Sequence, residues 1–255
     1  MDPRPAVLGR RLRDVRRILA VTGGKGGIGK SSVAVGLALA FAETGSRVGL
    51  LDLDLWGPSD HVILGVPRPG LHEDGGLVPD RIGGVALMSI ASIVGDDPAL
   101  LRGDEVSDAI LELLAVTLWG GLDVLLVDMP PGFGDTFLDA ARFLPGAEHL
   151  VVTTPSELTQ VTTRKTLQLL ARLHLHVLGV VENLRPDDGA SDDGAGSGAS
   201  SAGQPAGATV PILGSIRRDD GYEASLGDLD RLRATAFYRD VRLIAARLSI
   251  AAAPS

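Results

Sequence analysis

Short apolar runs alternate along the chain with longer stretches in which apolar residues recur every three or four positions. Short continuous runs predict buried strands, whereas the longer spacing predicts helices. Several of the runs, such as ILAV and DVLLVD, contain almost no polar residue, as expected of strands that are covered by helices on both faces. The pattern therefore predicts an α/β fold with a doubly wound, mostly parallel sheet.

The alternation also sets the expected element boundaries and domain organisation. The predicted strands are 17–22, 48–53, 85–90, 124–128, 149–153, 177–181 and 210–216, and the predicted helices are 30–44, 105–118, 136–143, 157–173 and 232–248. Residues 186–208 (PDDGASDDGAGSGASSAGQPAGA) contain no large apolar side chain, so they cannot bury enough surface to offset the entropy of ordering. We expect residues 1–255 to form a single domain, with an N-terminal extension at 1–15 and a disordered insertion at 186–208.

Composition narrows the classes of protein to which the chain can belong. It has 255 residues, 45% of them hydrophobic, a formal net charge of −8 and no cysteine. The lack of cysteine excludes disulfides, cysteine nucleophiles and thiolate-held metal sites within this chain. The negative charge disfavours nonspecific binding of nucleic acid. Apolar runs are shorter than the roughly 20 residues of a membrane span, and the arginine-rich N-terminus lacks the apolar core of a secretory signal, so we expect a cytoplasmic protein.

A glycine-rich segment lies between the first predicted strand and the first predicted helix. GGKGGIGKSS (residues 23–32) matches G-x-x-x-x-G-K-[ST] in the strand–loop–helix context of a phosphate-binding P-loop; a structural βα turn is the alternative. Two of the three lysines of the chain, Lys25 and Lys30, lie in it. We expect Lys30 to reach the β- and γ-phosphates of ATP, Ser31 to ligate Mg²⁺ and Ser32 to bond the α-phosphate. The predicted nucleotide-binding residues of the loop are Gly24, Lys25, Gly26, Gly27, Ile28, Gly29, Lys30, Ser31 and Ser32.

Carboxylates stand at the carboxyl ends of two further predicted strands, where open α/β sheets bind ligands. Asp52 and Asp54 follow one strand in LLDLDLWGPSD, and Asp128 ends another in DVLLVDMPPGFGD. Such carboxylates can hold Mg²⁺, partly through water, and can orient an attacking water. The backbone N–H of Gly132 is expected near the γ-phosphate. Strand-end or turn caps are the alternative explanation for the carboxylates.

These motifs resemble the MinD/ParA/NifH class of P-loop ATPases, whose phosphate loop also carries the extra lysine found here as Lys25. Three further segments narrow the resemblance to the Mrp family of that class, which includes the Mrp/ApbC iron–sulfur cluster carriers. They are DLDLWGPSDHVILGV, LLRGDEVSDAI, and LDVLLVDMPPGFGDTFL followed by VVTTPSELTQVTTRKTL. The resemblance implies a MinD-like P-loop NTPase fold, bound ATP and Mg²⁺, and slow hydrolysis that is coupled to homodimer formation.

The resemblance also implies roles for individual residues. Lys25 would reach across the dimer interface to the partner's nucleotide, and Asp54 would lie near the attacking water. Asp52 would lie on the Mg²⁺ side of Asp54, and Asn183 would contact adenine. Lys25, Lys30 and Asp54 are therefore the predicted catalytic residues, and Ser31, Asp52 and Asp128 are the predicted metal-binding residues.

The chain departs from the family pattern in one respect, because the C-x-x-C pair that follows the VEN segment in Mrp proteins is absent. We therefore expect no iron–sulfur cluster held by this chain alone. The expected partners are a second copy of the chain and an unidentified protein client, with iron–sulfur proteins as candidates. A ParA- or MinD-type positioning ATPase and a nucleotide-gated adaptor remain alternatives, although the sequence favours neither a nucleic-acid nor a membrane partner.

Overall fold

The computed structural model describes residues 2–55, 57–66, 72–90, 92, 103–186 and 210–248. Over these ranges the strands are β1 (Ile18–Thr22), β2 (Val48–Asp52), β3 (His72–Glu73), β4 (Leu77–Val78), β5 (Asp80–Ile82), β6 (Val85–Ser89), β7 (Val124–Asp128), β8 (Glu148–Thr153), β9 (His176–Arg185) and β10 (Ile212–Arg217). The helices are α1 (Arg4–Arg11), α2 (Lys30–Glu43), α3 (Asp60–Ile63), α4 (Gly103–Val116), α5 (Asp135–Phe143), α6 (Glu157–Arg172), α7 (Leu229–Ala234) and α8 (Ala236–Arg247), and a 3₁₀ turn covers Glu223–Ser225.

Eight of the strands form one sheet in the order β10-β9-β8-β1-β7-β2-β6-β5. Every neighbouring pair is parallel except β5 and β6, which are antiparallel. The short strands β3 and β4 pair separately as an antiparallel ribbon. The prediction of a mostly parallel α/β sheet is therefore confirmed.

Helices cover both faces of the sheet, which explains why its central strands are apolar throughout. Leu50 of β2 belongs to a core cluster that includes residues of α2 and α8. Its neighbour Leu51 belongs to a second cluster, with residues of α4, α5 and α6. Successive side chains of a strand point to opposite faces, so a strand between two helical layers must be apolar at every position. Among the described helices, none combines the length and the hydropathy that a bilayer span requires.

The sheet register fixes where the strand-end carboxylates lie. Asp52 at the end of β2 is paired with Asp128 at the end of β7, and Asp128 is also paired with Val21 of β1. The P-loop begins directly after β1. The three strand ends therefore bring the loop and both carboxylates to one edge of the sheet.

Several boundaries differ from the predicted ones for identifiable reasons. The helix predicted at 232–248 is divided into α7 and α8, because Thr235 leaves the helical conformation and its Oγ1 accepts a hydrogen bond from the N–H of Tyr238 at 3.0 Å. Strand β9 continues four residues past the predicted end, since Glu182 still pairs with Thr153 of β8. The segment predicted to be disordered lies outside the described residues except for Pro186.

Short elements escaped the sequence analysis altogether. Helix α3, the ribbon of β3 and β4, and the edge strand β5 are each between two and four residues long. Helix α1 lies within the predicted N-terminal extension and buries Leu8. Such lengths are too short for a periodic pattern, so only tertiary contacts define these elements.

A buried histidine lies within the central sheet. His149 of β8 is completely buried, and its Nδ1 lies 3.1 Å from the Thr22 hydroxyl. Its Nε2 has no hydrogen-bond partner among the described residues. Burial, with a smaller contribution from the charge of His176, lowers the pKa of His149 to about 4.

This pKa predicts how stability depends on pH. An unfolded histidine has a pKa of about 6.5, so between about pH 6.5 and 4 the unfolded state binds more protons and the folded state loses stability as the pH falls. The loss reaches about 3 kcal/mol for such a shift. Chemical denaturation across this pH range should show that His149→Gln lacks this part of the slope. The exposed His174, replaced by Asn, is the control; equal slopes in all three proteins would contradict the prediction.

Candidate functional site

The loop between β1 and α2 requires glycine at positions where a side chain would collide. Gly27 and Gly29 have φ values of 76° and 78°, a left-handed conformation that glycine adopts without steric cost. A Cβ on Gly29 would lie 2.2 Å from Asn183 Nδ2, and one on Gly24 would lie 2.5 Å from Thr162 Cγ2. The glycines therefore allow the loop to pass closely between its neighbours.

The first turn of α2 directs two side chains to the end of β7. Lys30 Nζ donates to Asp128 Oδ1 at 2.6 Å, and Ser31 Oγ donates to Asp128 Oδ2 at 2.6 Å. Lys30 is 6% exposed and Asp128 is fully buried. Burial alone lowers the pKa of the Lys30 ammonium, but the charge and hydrogen bond of Asp128 outweigh this effect and raise it. Lys30 is therefore held as a buried cation.

Asp52 and Asp54 follow β2 but occupy different environments. Asp52 is buried, and its Oδ1 accepts a hydrogen bond from the backbone N–H of Asp54 at 3.0 Å. The Ser89 hydroxyl donates to Asp52 Oδ2 at 3.3 Å. Asp54 is half-buried, and its Oδ1 accepts a hydrogen bond from the N–H of Gly57 at 3.1 Å. Asp52 is thus held behind the loop, whereas Asp54 lies at its open side.

A further carboxylate joins this group that the sequence analysis did not single out. Asp60, the first residue of α3, is completely buried, and neither of its carboxylate oxygens has a hydrogen-bond partner among the described residues. Asp52, Asp60 and Asp128 each offer one oxygen within 4.8 Å of the other two. In the sequence Asp60 has the appearance of an ordinary helix-start residue, because its burial depends on the packing of α3.

The carboxylates are held in an environment that favours their protonated forms. Burial, followed by the charge of Asp128, raises the pKa of Asp52 to about 7. Burial, followed by the charge of Asp52, raises the pKa of Asp60 well above its usual value. Burial also raises the pKa of Asp128, although Lys30 opposes the shift. A cation bound among these carboxylates would favour their ionised forms instead.

Two adjoining cavities open along the loop. One, of about 350 Å³, is lined by both loop lysines and by Asp54. The other, of about 430 Å³, is lined by Asn183 and Tyr222. Both cavities share residues of the loop, namely Gly27, Gly29 and Ser32. Their joint shape offers one compartment beside the phosphate loop and another beside the end of β9.

Asn183 is oriented by the loop itself. Its Nδ2 donates to the backbone carbonyl of Ile28 at 2.8 Å, which leaves Oδ1 buried without a partner among the described residues. A buried amide oxygen without a donor has an unfavourable free energy. The cavity next to it can therefore accept a ligand that donates a hydrogen bond.

Most of the predicted site residues lie close together around the glycine-rich loop. The loop residues, Asp52, Asp54 and Asp128 lie together, and Asn183 lines the adjoining cavity. The N–H of Gly132 points to the carbonyl of Gly23 at 3.4 Å. Lys25 is exposed and forms no ion pair with the described part of this chain. Arg102, whose role the sequence left open, lies outside the described residues.

The fold has counterparts among solved structures. The nucleotide-binding protein of Archaeoglobus fulgidus, in complex with ADP and with cobalt found in it, is 31% identical, with a TM-score of 0.71 over 89% of this chain and 92% of that chain. The cell division ATPase MinD of Pyrococcus furiosus is 23% identical, with a TM-score of 0.62 over 92% of this chain and 98% of that chain. At this identity the MinD comparison shows a shared fold.

Sequence comparisons agree with the structural ones. An iron–sulfur cluster carrier protein of Pseudomonas fragi is 44% identical over 177 residues, which are 68% of this chain and 62% of that protein. This chain thus spans less than two thirds of the length of that relative. The model of the ParA family, described as the NUBPL iron-transfer P-loop NTPase, matches residues 14–197. A match over most of the chain, together with the geometry of the loop, establishes that the protein belongs to this family of P-loop NTPases.

Proposed function

We propose that this chain binds ATP with Mg²⁺, hydrolyses it as a homodimeric switch, and serves the transfer of iron–sulfur clusters. The observation that carries the proposal is the junction of the two cavities at the glycine loop, with Lys30, Ser31 and Asp54 on one side and Asn183 on the other. The groups on the two sides match the two ends of a nucleoside triphosphate. One end is an organic base, and the other is a polyanionic triphosphate with its bound cation.

The base compartment supports adenine as the ligand. The free Oδ1 of Asn183 is an acceptor, and the exocyclic amino group of adenine is a donor. Because Nδ2 is engaged by the carbonyl of Ile28, the side chain cannot easily rotate to present a donor instead. Tyr222 and Phe237, whose ring centroids lie 4.6 Å apart, add aromatic surface to the same cavity. Asn183 thus discriminates between amino and carbonyl groups on the base.

The phosphate compartment supplies the groups that phosphoryl transfer needs. The N-terminus of α2 directs backbone N–H groups at the loop, and helix N-termini attract anions. The Lys30 ammonium has three N–H donors, so it can donate hydrogen bonds to Asp128 and to phosphate oxygens at the same time. Charge on the transferred phosphoryl group is thereby stabilised by fixed donors, which is the main source of catalysis in this reaction class.

The oxygen ligands near the loop fit Mg²⁺. Ser31 supplies a hydroxyl and Asp128 and Asp52 supply carboxylates, which are hard ligands of the kind that Mg²⁺ binds directly or through water. When bound, the ion would neutralise charge on the β- and γ-phosphates. The hydrogen bond between Ser31 and Asp128 already aligns the two ligands. Asp54 lines the same cavity and would orient water for attack on the terminal phosphate.

The second loop lysine supports a role for a second subunit. Lys25 is exposed at the mouth of the phosphate cavity and pairs with no carboxylate in the described part of this chain. An unpaired ammonium at that position can contact an anion on a facing copy of the chain. Its contribution to hydrolysis would then exist only in the dimer, which couples turnover to association.

The link to iron–sulfur clusters comes from the relative described above as a cluster carrier. This chain has no cysteine, and clusters of this type are normally held by cysteine thiolates. The residues present therefore do not fit a cluster held by this chain alone. The proposed role is that of an ATP-driven switch whose partner supplies the thiolates.

Lys30→Ala is expected to weaken ATP binding by at least about 100-fold, since it removes charge-assisted hydrogen bonds to phosphate. Isothermal titration calorimetry measures the affinity, and thermal melting reports folding separately, because Asp128 loses its buried partner. Lys25→Ala, in the same loop, is the matched control and should retain the wild-type affinity. Unchanged ATP affinity in a folded Lys30→Ala protein would contradict the P-loop assignment.

Lys25→Ala is expected to reduce both ATP-dependent dimerisation and turnover, the latter by at least about tenfold, because a cation supplied in trans stabilises the transition state. Light scattering with a nonhydrolysable ATP analogue and a phosphate-release assay measure the two effects. Lys165→Ala, which removes the remaining lysine, serves as the control. Wild-type dimerisation together with wild-type turnover would contradict a role of Lys25 across the dimer interface.

Anaerobic reconstitution with iron and sulfide is expected to leave no 4Fe–4S cluster on the purified chain, because no thiolate is present to hold it. Iron and acid-labile sulfide per chain, together with the visible absorption spectrum, measure retention. Mg-ATP binding by the same sample verifies that the protein is folded. Stoichiometric retention of the cluster would require ligands other than cysteine and would overturn the proposal that a partner supplies the thiolates.

A further inference from the structure

Asp60 has no part in the phosphate chemistry described above, although it lies beside it. We propose that Asp60, Asp52 and Asp128 form a divalent-cation site that this chain completes without nucleotide, so that the protein takes up Mg²⁺ or Mn²⁺ before ATP arrives. The inference deepens the proposed function, on which it rests for the roles of Asp52 and Asp128. Its new element is Asp60 as a metal ligand.

The spacing of the three carboxylates suits a single cation. One oxygen from each residue lies within 4.8 Å of those from the other two. Divalent cations bind oxygen at about 2.0–2.1 Å for Mg²⁺ and about 2.3–2.6 Å for Ca²⁺, so oxygens on opposite sides of one ion are separated by about twice these lengths. Two strands and a short helix thus bring three ligands to within the span of one coordination sphere.

The unsatisfied state of Asp60 points to a missing ligand. Asp128 accepts hydrogen bonds from Lys30 and Ser31, and Asp52 accepts them from Asp54 and Ser89. Asp60 is fully buried like them, but both of its oxygens lack a partner among the described residues. A buried carboxylate without a partner is strongly destabilising. A cation at this position would supply the partner that the described part of the chain does not.

The balance of buried charge leads to the same conclusion. Lys30 is the one buried lysine or arginine within the described ranges, and it faces three fully buried carboxylates. Its ammonium is bonded to Asp128, which leaves Asp52 and Asp60 without a cationic partner of their own. A bound ion with two positive charges would bring the whole buried set to neutrality.

The donor set also defines the class of metal. All three ligands are carboxylate oxygens, which suit Mg²⁺ and Mn²⁺ better than metals that prefer sulfur or imidazole. Asp60 lies at the start of α3, six residues after Asp54 in the same segment. A cation held by Asp60 would therefore tie α3 to the ends of β2 and β7 and prepare the site for a triphosphate.

Mn²⁺ binding to the full, nucleotide-free chain tests the proposal. After treatment with a chelator, titration with Mn²⁺ followed by the electron paramagnetic resonance of the free ion should reveal one bound Mn²⁺ per chain, which Mg²⁺ displaces. Asp60→Asn should weaken this binding by at least about tenfold. Asp74→Asn, which removes one charge from an exposed turn, should leave it unchanged. Absence of binding in the wild type, or equal binding in Asp60→Asn, would overturn the proposal.

Thermal melting separates a ligand from a merely structural residue. Ligands that bind only the folded state raise the melting temperature, so Mn²⁺ should stabilise the wild type and Asp74→Asn but not Asp60→Asn. Without metal, Asp60→Asn should melt no lower than the wild type, since it removes a buried carboxyl group that has no hydrogen-bond partner among the described residues; Asp60→Leu repeats this comparison with an apolar side chain. Equal stabilisation of all variants by Mn²⁺ would exclude Asp60 as a ligand.

Nucleotide binding is measured separately so that the two proposals can fail independently. Titration of the wild type with ADP in the presence of a chelator reports the loop alone. Failure to bind ADP would contradict the proposed ATPase, whereas the Mn²⁺ titration would still decide the role of Asp60.

Discussion

The site depends on the carboxylate of Asp128, which accepts hydrogen bonds from both Lys30 and Ser31 at the buried end of β7. These two donors belong to the first turn of α2, so their bonds fix the helix N-terminus against the sheet. The same residue is in register with Asp52 on one side and with Val21, just before the loop, on the other. One buried carboxylate thereby determines where the glycine loop, the second carboxylate and the helix N-terminus meet.

The concentration of buried charge around Asp128 conflicts with the stability of the fold. Removing a carboxylate from water has a large unfavourable free energy unless a partner compensates it, and burial raises the pKa of Asp52, Asp60 and Asp128 accordingly. A core with apolar residues at these positions would avoid that energy. The arrangement is understandable as a binding site, because a divalent cation would supply the positive charge that these carboxylates require.

The chain shares the nucleotide-binding loop of its family but lacks the cysteines that would hold an iron–sulfur cluster. The matched relative is an iron–sulfur cluster carrier, and the present chain has the nucleotide-binding framework but no cysteine. In the proposed function, residues of this chain bind the phosphates and the divalent cation. In the proposed function another protein supplies the thiolates, so association with a client is central to that proposal.

The sequence alone determined the features that depend on the order of neighbouring residues, namely the strands, the glycine-rich loop and the carboxylates at the strand ends. The glycine spacing of GGKGGIGKSS and the apolar strands on either side of α2 predicted the loop. The carboxylates at the strand ends predicted the positions of Asp52, Asp54 and Asp128. Each of these predictions depends only on residues that are close in the chain. Asn183 was found only through family resemblance. Only the tertiary structure brings Asp60 next to Asp52 and Asp128, since its burial and the absence of a hydrogen-bond donor beside it among the described residues arise from segments far apart in the chain. It also decided the division between α7 and α8, where a threonine cap outweighs a continuous helical pattern.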